Sequence, residues 1–194
     1  NVIVVPHDTK IEEIKKLKPS GVVISNGPSN PNKMTNELEL VKSLKGKFPL
    51  LGLGLGADLI ALTYGAEVKK MKHGHNGANI PVRNIIADKI EITNQNHFYD
   101  ICLDNKDVEI THVDVVDGTI EGFVDKNNKV MGVQYLIQET LSQDENVINN
   151  FVKLKGNNSN GFLDAIFLFG IGGLQISGPI LMAINGDNSQ LYLK

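Results

Sequence analysis

The sequence predicts an α/β protein: a mostly parallel sheet flanked by helices, with additional antiparallel strands. Three observations predict it. Within the first 64 residues, bare apolar runs alternate three times with segments of helical periodicity. The third apolar run ends at Leu53 and enters its helix through three glycines spaced two apart. From about residue 80 the chain breaks into short pieces of alternating polarity separated by turn residues, the pattern of antiparallel or mixed strands.

Residues 1–5 form a bare apolar strand. Residues 9–17 place Ile11, Ile14 and Leu17 on one face with Glu12, Glu13, Lys15 and Lys16 between, which predicts an amphipathic helix with Thr9 as its cap and Pro19 beyond its end. GVVIS (21–25) is a second buried-type strand, followed by the turn NGPSNP (26–31) and a helix over 36–44. Residues 48–53 make the third strand and 57–64 the third helix, closed by Gly65. This alternation implies right-handed crossovers and a parallel sheet covered on both faces, with sites at the carboxyl ends of strands. NGPSNP and GLGLGA (52–57) are the two turns so placed.

The later strands are expected at 82–86, 89–93, 108–113, 119–124 and 129–134, with turns at 117–118 and 126–128 and a short helix over 145–154. KGNNSNG (155–161) has linker composition and divides 1–154 from 162–194, where a new strand, AIFLFG, begins.

Composition sets limits. The 194 residues carry a formal net charge of -3, with only a short lysine run at Lys69, Lys70 and Lys72, so neither nucleic acid nor a membrane surface is an expected partner. A lone cysteine, Cys102, excludes an internal disulfide and points to the cytoplasm, and no apolar run has the length of a membrane span. His73, His75, His97 and His112 show no i, i+4 pairing near a carboxylate, so no metal site is expected. GLGLGA also has the look of a dinucleotide turn, but no acidic residue closes a second strand about 20 residues later.

A strand that enters a glycine-flanked turn and leaves as a helix exposes one side chain beside backbone N–H groups able to stabilise an anion. In a hydrolase that position carries the nucleophile. Here it is Gly54.

KFPLLGLGLGADLIALTYGAEVKKMKHGHNGANIPV (47–82) resembles the glutaminase domain of carbamoyl phosphate synthetase, a class I glutamine amidotransferase with a flavodoxin-like sheet, whose pattern is P-x-x-G-I-C-L-G-H-Q-L-x-A-L-x-x-G-A followed by K-M-K-F-G-H-x-G-x-N-H-P-V. SNGPSNP (25–31), ITNQNHFYD (92–100), THVDVVDGTIEGF (111–123) and VMGVQYLIQET (130–140) are similar, in order, to further motifs of that family. The resemblance covers nearly all of residues 1–140 and implies the fold and a role in making carbamoyl phosphate from bicarbonate, ATP and glutamine or ammonia, for pyrimidine or arginine synthesis.

The resemblance places the family's nucleophilic cysteine at Gly54, its catalytic histidine at Leu136 and its orienting glutamate at Gln138. None of the three can do that chemistry, since attack on an amide needs a thiolate, a base to form it and a carboxylate to orient the base. Among the family's substrate-holding positions, Gly27 and Leu55 keep the oxyanion-hole amides, Asp58 replaces a glutamine, Ala57 a histidine and Ser29 a loop glycine. Asn96 and Tyr99 remain, and Phe98 replaces a glycine and is expected to crowd the pocket. The stretch 166–194 is similar to the start of the synthetase part of the same enzyme, with Gly172, Gly173, Leu174, Ile176, Ser189, Gln190 and Lys194 coinciding, and the family's first glutaminase strand is missing before Val2.

The resemblance thus implies a synthetase subunit or fused synthetase domain as partner, glutamine as an optional ligand, no cofactor in this domain, and ATP with Mg in the synthetase portion. Three readings follow: a non-hydrolysing structural or regulatory domain, an active amidotransferase with its nucleophile displaced to Cys102 or Ser25, and a ligand-sensing module.

Overall fold

The computed structural model describes residues 2–137, 142–156 and 165–169. Among them nine strands form one sheet. The strands are β1 (Val2–Pro6), β2 (Gly21–Ile24), β3 (Leu50–Leu53), β4 (Glu67–Asn84), β5 (Lys89–Cys102), β6 (Glu109–Asp114), β7 (Ile120–Asp125), β8 (Val130–Val133) and β9 (Ala165–Phe169). Their order is β1-β9-β2-β3-β8-β7-β6-β4-β5. The first five are parallel, and from β8 onward every pairing is antiparallel. The backbone of the strand expected at AIFLFG lies between β1 and β2 of this sheet.

Helices α1 (Ile11–Leu17), α2 (Thr35–Leu44), α3 (Leu55–Leu62) and α4 (Ser142–Lys155) cover the parallel part. Strand alternation sorts the core into two layers. Val22, Ile24 and Leu50 pack with Ile14 of α1, Val41 and Leu44 of α2, and Leu55, Leu59 and Ile60 of α3. Val23, Leu51, Leu53, Met131 and Val133 face the other way, onto Val147, Ile148 and Phe151 of α4. Both faces are covered, which is why these strands read as unbroken apolar runs rather than as alternating ones.

Several boundaries differ from the sequence expectation. Helix α1 starts at Ile11 after Lys10, and Thr9 does not cap it, because its hydroxyl donates to the Pro6 carbonyl (2.7 Å). Helix α3 starts at Leu55 and ends at Leu62, two residues early at both ends, since the glycine turn bends at Gly54.

The larger departure is the ribbon of β4 and β5, 18 and 14 residues long where two five-residue strands were expected. Its lysine-, histidine- and asparagine-rich first half has no apolar periodicity, because much of it faces solvent and continuous pairing with β5 replaces burial as the ordering force. Register shifts between Lys70 and His75 and between Gly77 and Ile80 bend the ribbon. No helix among the described residues is long and apolar enough to cross a membrane.

Candidate functional site

The turn between β3 and α3 is built from close backbone approaches. A Cβ on Gly52 would lie 2.6 Å from the Gly56 carbonyl carbon, and one on Gly56 would lie 2.7 Å from the Ile24 carbonyl carbon. These two glycines therefore let α3 seat directly on β2 and β3. Gly54 stands at φ 51°, ψ -115°, a conformation that L-residues adopt only under strain. Its N–H donates to the Val133 carbonyl of β8 (2.8 Å), and its carbonyl accepts from the N–H groups of Ala57 (2.8 Å) and Asp58 (3.1 Å). The elbow geometry is present without the elbow's side chain.

The amides of Gly27 and Leu55 do converge. Both donate to one atom, the side-chain Oδ1 of Asn26, at 2.9 and 3.0 Å. A Cβ on Gly54 would lie 2.5 Å from Asn26 Cγ, so the carboxamide also fills the space where a side chain at position 54 would begin. Ser25 is buried, and its hydroxyl donates to the Asn26 carbonyl (3.2 Å).

Leu136 is half-buried, and its N–H donates to the Asn94 carbonyl of β5 (2.8 Å). The Leu53–Val133 register brings residues 54 and 136 off the same edge of the sheet. Gln138 lies outside the described residues, as do Gly172, Gly173, Leu174, Ile176, Ser189, Gln190 and Lys194.

Asp58 is 2% exposed on the first turn of α3 and accepts a hydrogen bond from Gln134 Nε2 at 2.9 Å. Burial pushes its carboxyl up to about 7, with the Gln134 hydrogen bond pulling the other way. The same Gln134 nitrogen lies 3.4 Å from the Tyr99 carbonyl, which joins α3 to β5. Asn96 and Phe98 are exposed, alternating with the buried Gln95 and His97, and the Phe98 ring lies over Gly74 of β4. Cys102 is exposed, not half-buried as its apolar neighbours suggest, because the residues that alternate with it on β5 take the covered face. Its thiol points to Asp100 Oδ2 (3.7 Å), and partial burial together with that carboxylate raises its pKa, away from a reactive thiolate.

A second polar cluster sits within the antiparallel part, and reading the histidines one at a time misses it. His75 Nδ1 lies 2.9 Å from Gln95 Oε1 and 3.2 Å from Glu121 Oε1, and its Nε2 lies 3.0 Å from Asp117 Oδ2. His97 Nε2 lies 3.0 Å from the same Gln95 oxygen and 3.5 Å from Glu121 Oε1, while its Nδ1 lies 3.0 Å from the Tyr99 carbonyl. The hydrogen bond that His75 donates to Glu121 holds its imidazolium up to about 9 against the cost of burial. For Glu121 burial acts to raise the pKa, but hydrogen bonds from both histidines outweigh it and the net direction is down. The available sequence signal was the Gln-x-His spacing on β5, which puts Gln95 and His97 on one face of a strand.

A mixed sheet with a glycine elbow at the end of β3, in its parallel half, beside two convergent amides, defines an amidotransferase-type α/β scaffold. The chain belongs to the class-I glutamine amidotransferase family, whose profile matches residues 1–153. It is 46% identical over 138 residues to a carbamoyl phosphate synthase small chain of Staphylococcus epidermidis, a match covering 70% of this chain and 38% of that one. A Halalkalibacterium halodurans protein named carbamoyl phosphate synthase pyrimidine-specific small chain is 43% identical over 164 residues, covering 82% of this chain and 45% of that one. The chain thus spans less than half the length of these relatives. Among solved structures, a Thermoplasma acidophilum protein provisionally named as one of the GMP synthase subunits superposes with a TM-score of 0.66 at 25% identity, over 78% of this chain and 79% of that one. A glutamine amidotransferase of Thermotoga maritima shares the fold with a TM-score of 0.53 at 18% identity, over 80% and 86% of the two chains.

Proposed function

We propose that this chain is the glutaminase-type domain of a carbamoyl phosphate synthase small chain that does not hydrolyse glutamine and acts instead as a structural or regulatory partner of a cytoplasmic synthetase. One observation carries the reading: the carboxamide of Asn26 occupies both amides of the oxyanion hole beside an elbow residue with no side chain. In a working hole those donors must wait for the charge that develops on the substrate carbonyl. Here they are already satisfied, and Gly54 and Leu136 supply neither nucleophile nor base.

The displaced-nucleophile reading finds no support at either candidate. The Cys102 thiol has a raised pKa on an exposed strand position, and the Ser25 hydroxyl is engaged with the Asn26 carbonyl. On the proposed reading the synthetase takes free ammonia, with ATP and Mg bound in its own chain, and makes carbamoyl phosphate for pyrimidine or arginine synthesis. The deciding experiment is ammonia release from glutamine by this chain, alone and with its synthetase, bicarbonate and ATP. Release at the uncatalysed rate, with ammonia-dependent synthesis intact, is expected. Release well above that rate overturns the proposal.

A further inference from the structure

We propose that His75 Nδ1, His97 Nε2 and Glu121 Oε1 form the core of a site for a divalent transition-metal ion of the zinc class, with Gln95 Oε1 as the fourth ligand. The ligand atoms of the three ionisable residues all lie within 4.8 Å of one another. Tetrahedral ligation at about 2.0–2.1 Å sets neighbouring donor atoms about 3.3 Å apart. The four imidazole-to-oxygen separations measured between these groups run from 2.9 to 3.5 Å, on both sides of that figure.

The surrounding bonds orient each ligand as a metal requires. His97 Nδ1 donates to the Tyr99 carbonyl (3.0 Å), which leaves Nε2 facing inward. His75 Nε2 donates to Asp117 Oδ2 (3.0 Å), which leaves Nδ1 facing inward. A ligating histidine whose other nitrogen donates to a carboxylate or a backbone carbonyl is the usual arrangement around protein-bound zinc. Gln95 Nε2 donates to Thr93 Oγ1 (3.0 Å), which fixes the carboxamide with its oxygen toward both imidazoles.

An independent observation points to a missing ligand. Glu121 is fully buried, yet its Oε2 makes no hydrogen bond among the described residues. A buried carboxylate with one oxygen unpaired has its charge poorly compensated, and a cation on its other oxygen, Oε1, offsets that charge. Both inward nitrogens also face acceptor oxygens, so each position calls for a proton or a metal. One divalent ion supplies the positive charge that two protons would otherwise bring. Two imidazoles with oxygen donors favour zinc, cobalt or nickel over calcium or magnesium. The site joins β4, β5 and the strand carrying Glu121, so its role is to lock the ribbon onto the sheet.

The test is titration of the 194-residue chain, prepared without a polyhistidine tag, with Zn²⁺ in competition with a chromophoric chelator. Expected are one Zn²⁺ per chain at sub-micromolar affinity and, with Co²⁺, the visible absorption of a four-coordinate ion. His97→Gln and Glu121→Gln should weaken binding at least about 100-fold. Asp117→Asn, at an exposed position that orients His75, should weaken it about 10- to 100-fold. If the wild-type chain melts cooperatively yet takes up no zinc, the proposal is wrong. It is equally wrong if Asp117→Asn binds like wild type, whatever the folding of the other two variants. Zinc uptake is read without glutamine, so its failure is distinct from failure of the functional reading.

Discussion

The two halves of the sheet handle polar groups in opposite ways. In the parallel half, the end of β3 turns through Gly54, which carries no side chain, and the neighbouring Asn26 carboxamide takes up the amides of Gly27 and Leu55. In the antiparallel half, His75, His97, Glu121 and Gln95 form one interdependent buried network. The contrast shows where geometry resides. At the elbow it lies in glycines and strand register, so it does not depend on any one side chain. In the ribbon it lies in the charges, and none can leave alone.

The largest expected effect follows from that difference. Glu121→Ala strips the buried anion from beside two histidines, one of them held up to about 9. Breaking a buried pair by removing one partner costs roughly 3–5 kcal/mol. For a chain of this size that is a fall in Tm of about 6–20 °C. Differential scanning calorimetry of the variant at pH 7 checks it, and a loss below about 2 °C would mean the network is not cohesive.

Asp58 comes next, at the junction of the two halves. Its carboxyl is raised from 3.8 to about 7, so the folded state holds the proton that the unfolded chain releases. The stability linked to this group is complete below about pH 4 and is lost as pH rises through 7. Three pH units at about 1.4 kcal/mol each give an upper bound of roughly 4 kcal/mol. Asp58→Asn keeps an acceptor for Gln134 and removes the titration. Urea melts should show the variant clearly more stable than the parent at pH 8 and nearly equal to it at pH 4.5. Parallel curves across that range would exclude the raised carboxyl.

Gly54→Ala addresses the elbow itself. A Cβ at φ 51° falls in a strained region and 2.5 Å from Asn26 Cγ, and such strain costs about 1–3 kcal/mol. A Tm drop of about 2–12 °C is expected, with no gain of glutaminase activity. An unchanged Tm would mean that the carboxamide moves aside freely.

Strands β1 to β3 and helices α1 to α3 were legible because their signals are local, whereas β8 was grouped with the antiparallel strands and β9 was placed beyond a linker. Apolar runs, helical spacing and three glycines sit within a dozen residues of what they build, and the order of motifs through residue 140 named the family. The ribbon was not, since residues 67–84 gain their order from pairing with β5 rather than from any periodicity of their own. Its histidine cluster joins positions 20 and 46 apart in the chain, a distance no spacing rule bridges. Asn26 was equally silent. The resemblance marks the glycine after it as an oxyanion-hole residue, but nothing local says that its own side chain turns in to bond an amide 29 residues away.

That inward turn allows the sharpest comparison, with the smallest effect. Asn26→Asp places a carboxylate oxygen between two N–H donors, those of Gly27 and of Leu55 at the start of α3. A hydrogen bond to a charged acceptor is worth about 1.5–3 kcal/mol against about 0.5–1.5 for a neutral one, and the helix end adds to the preference. The new carboxyl should therefore ionise more easily in the folded state than in the unfolded chain. Its contribution is present above pH 4 and is lost as pH falls through the depressed value. A gain of about 1 kcal/mol over the parent at pH 7, shrinking to nothing near pH 3, would show that the two amides still form an anion site. A loss at pH 7 would show that the hole has changed into an ordinary turn, fitted only to a neutral carboxamide.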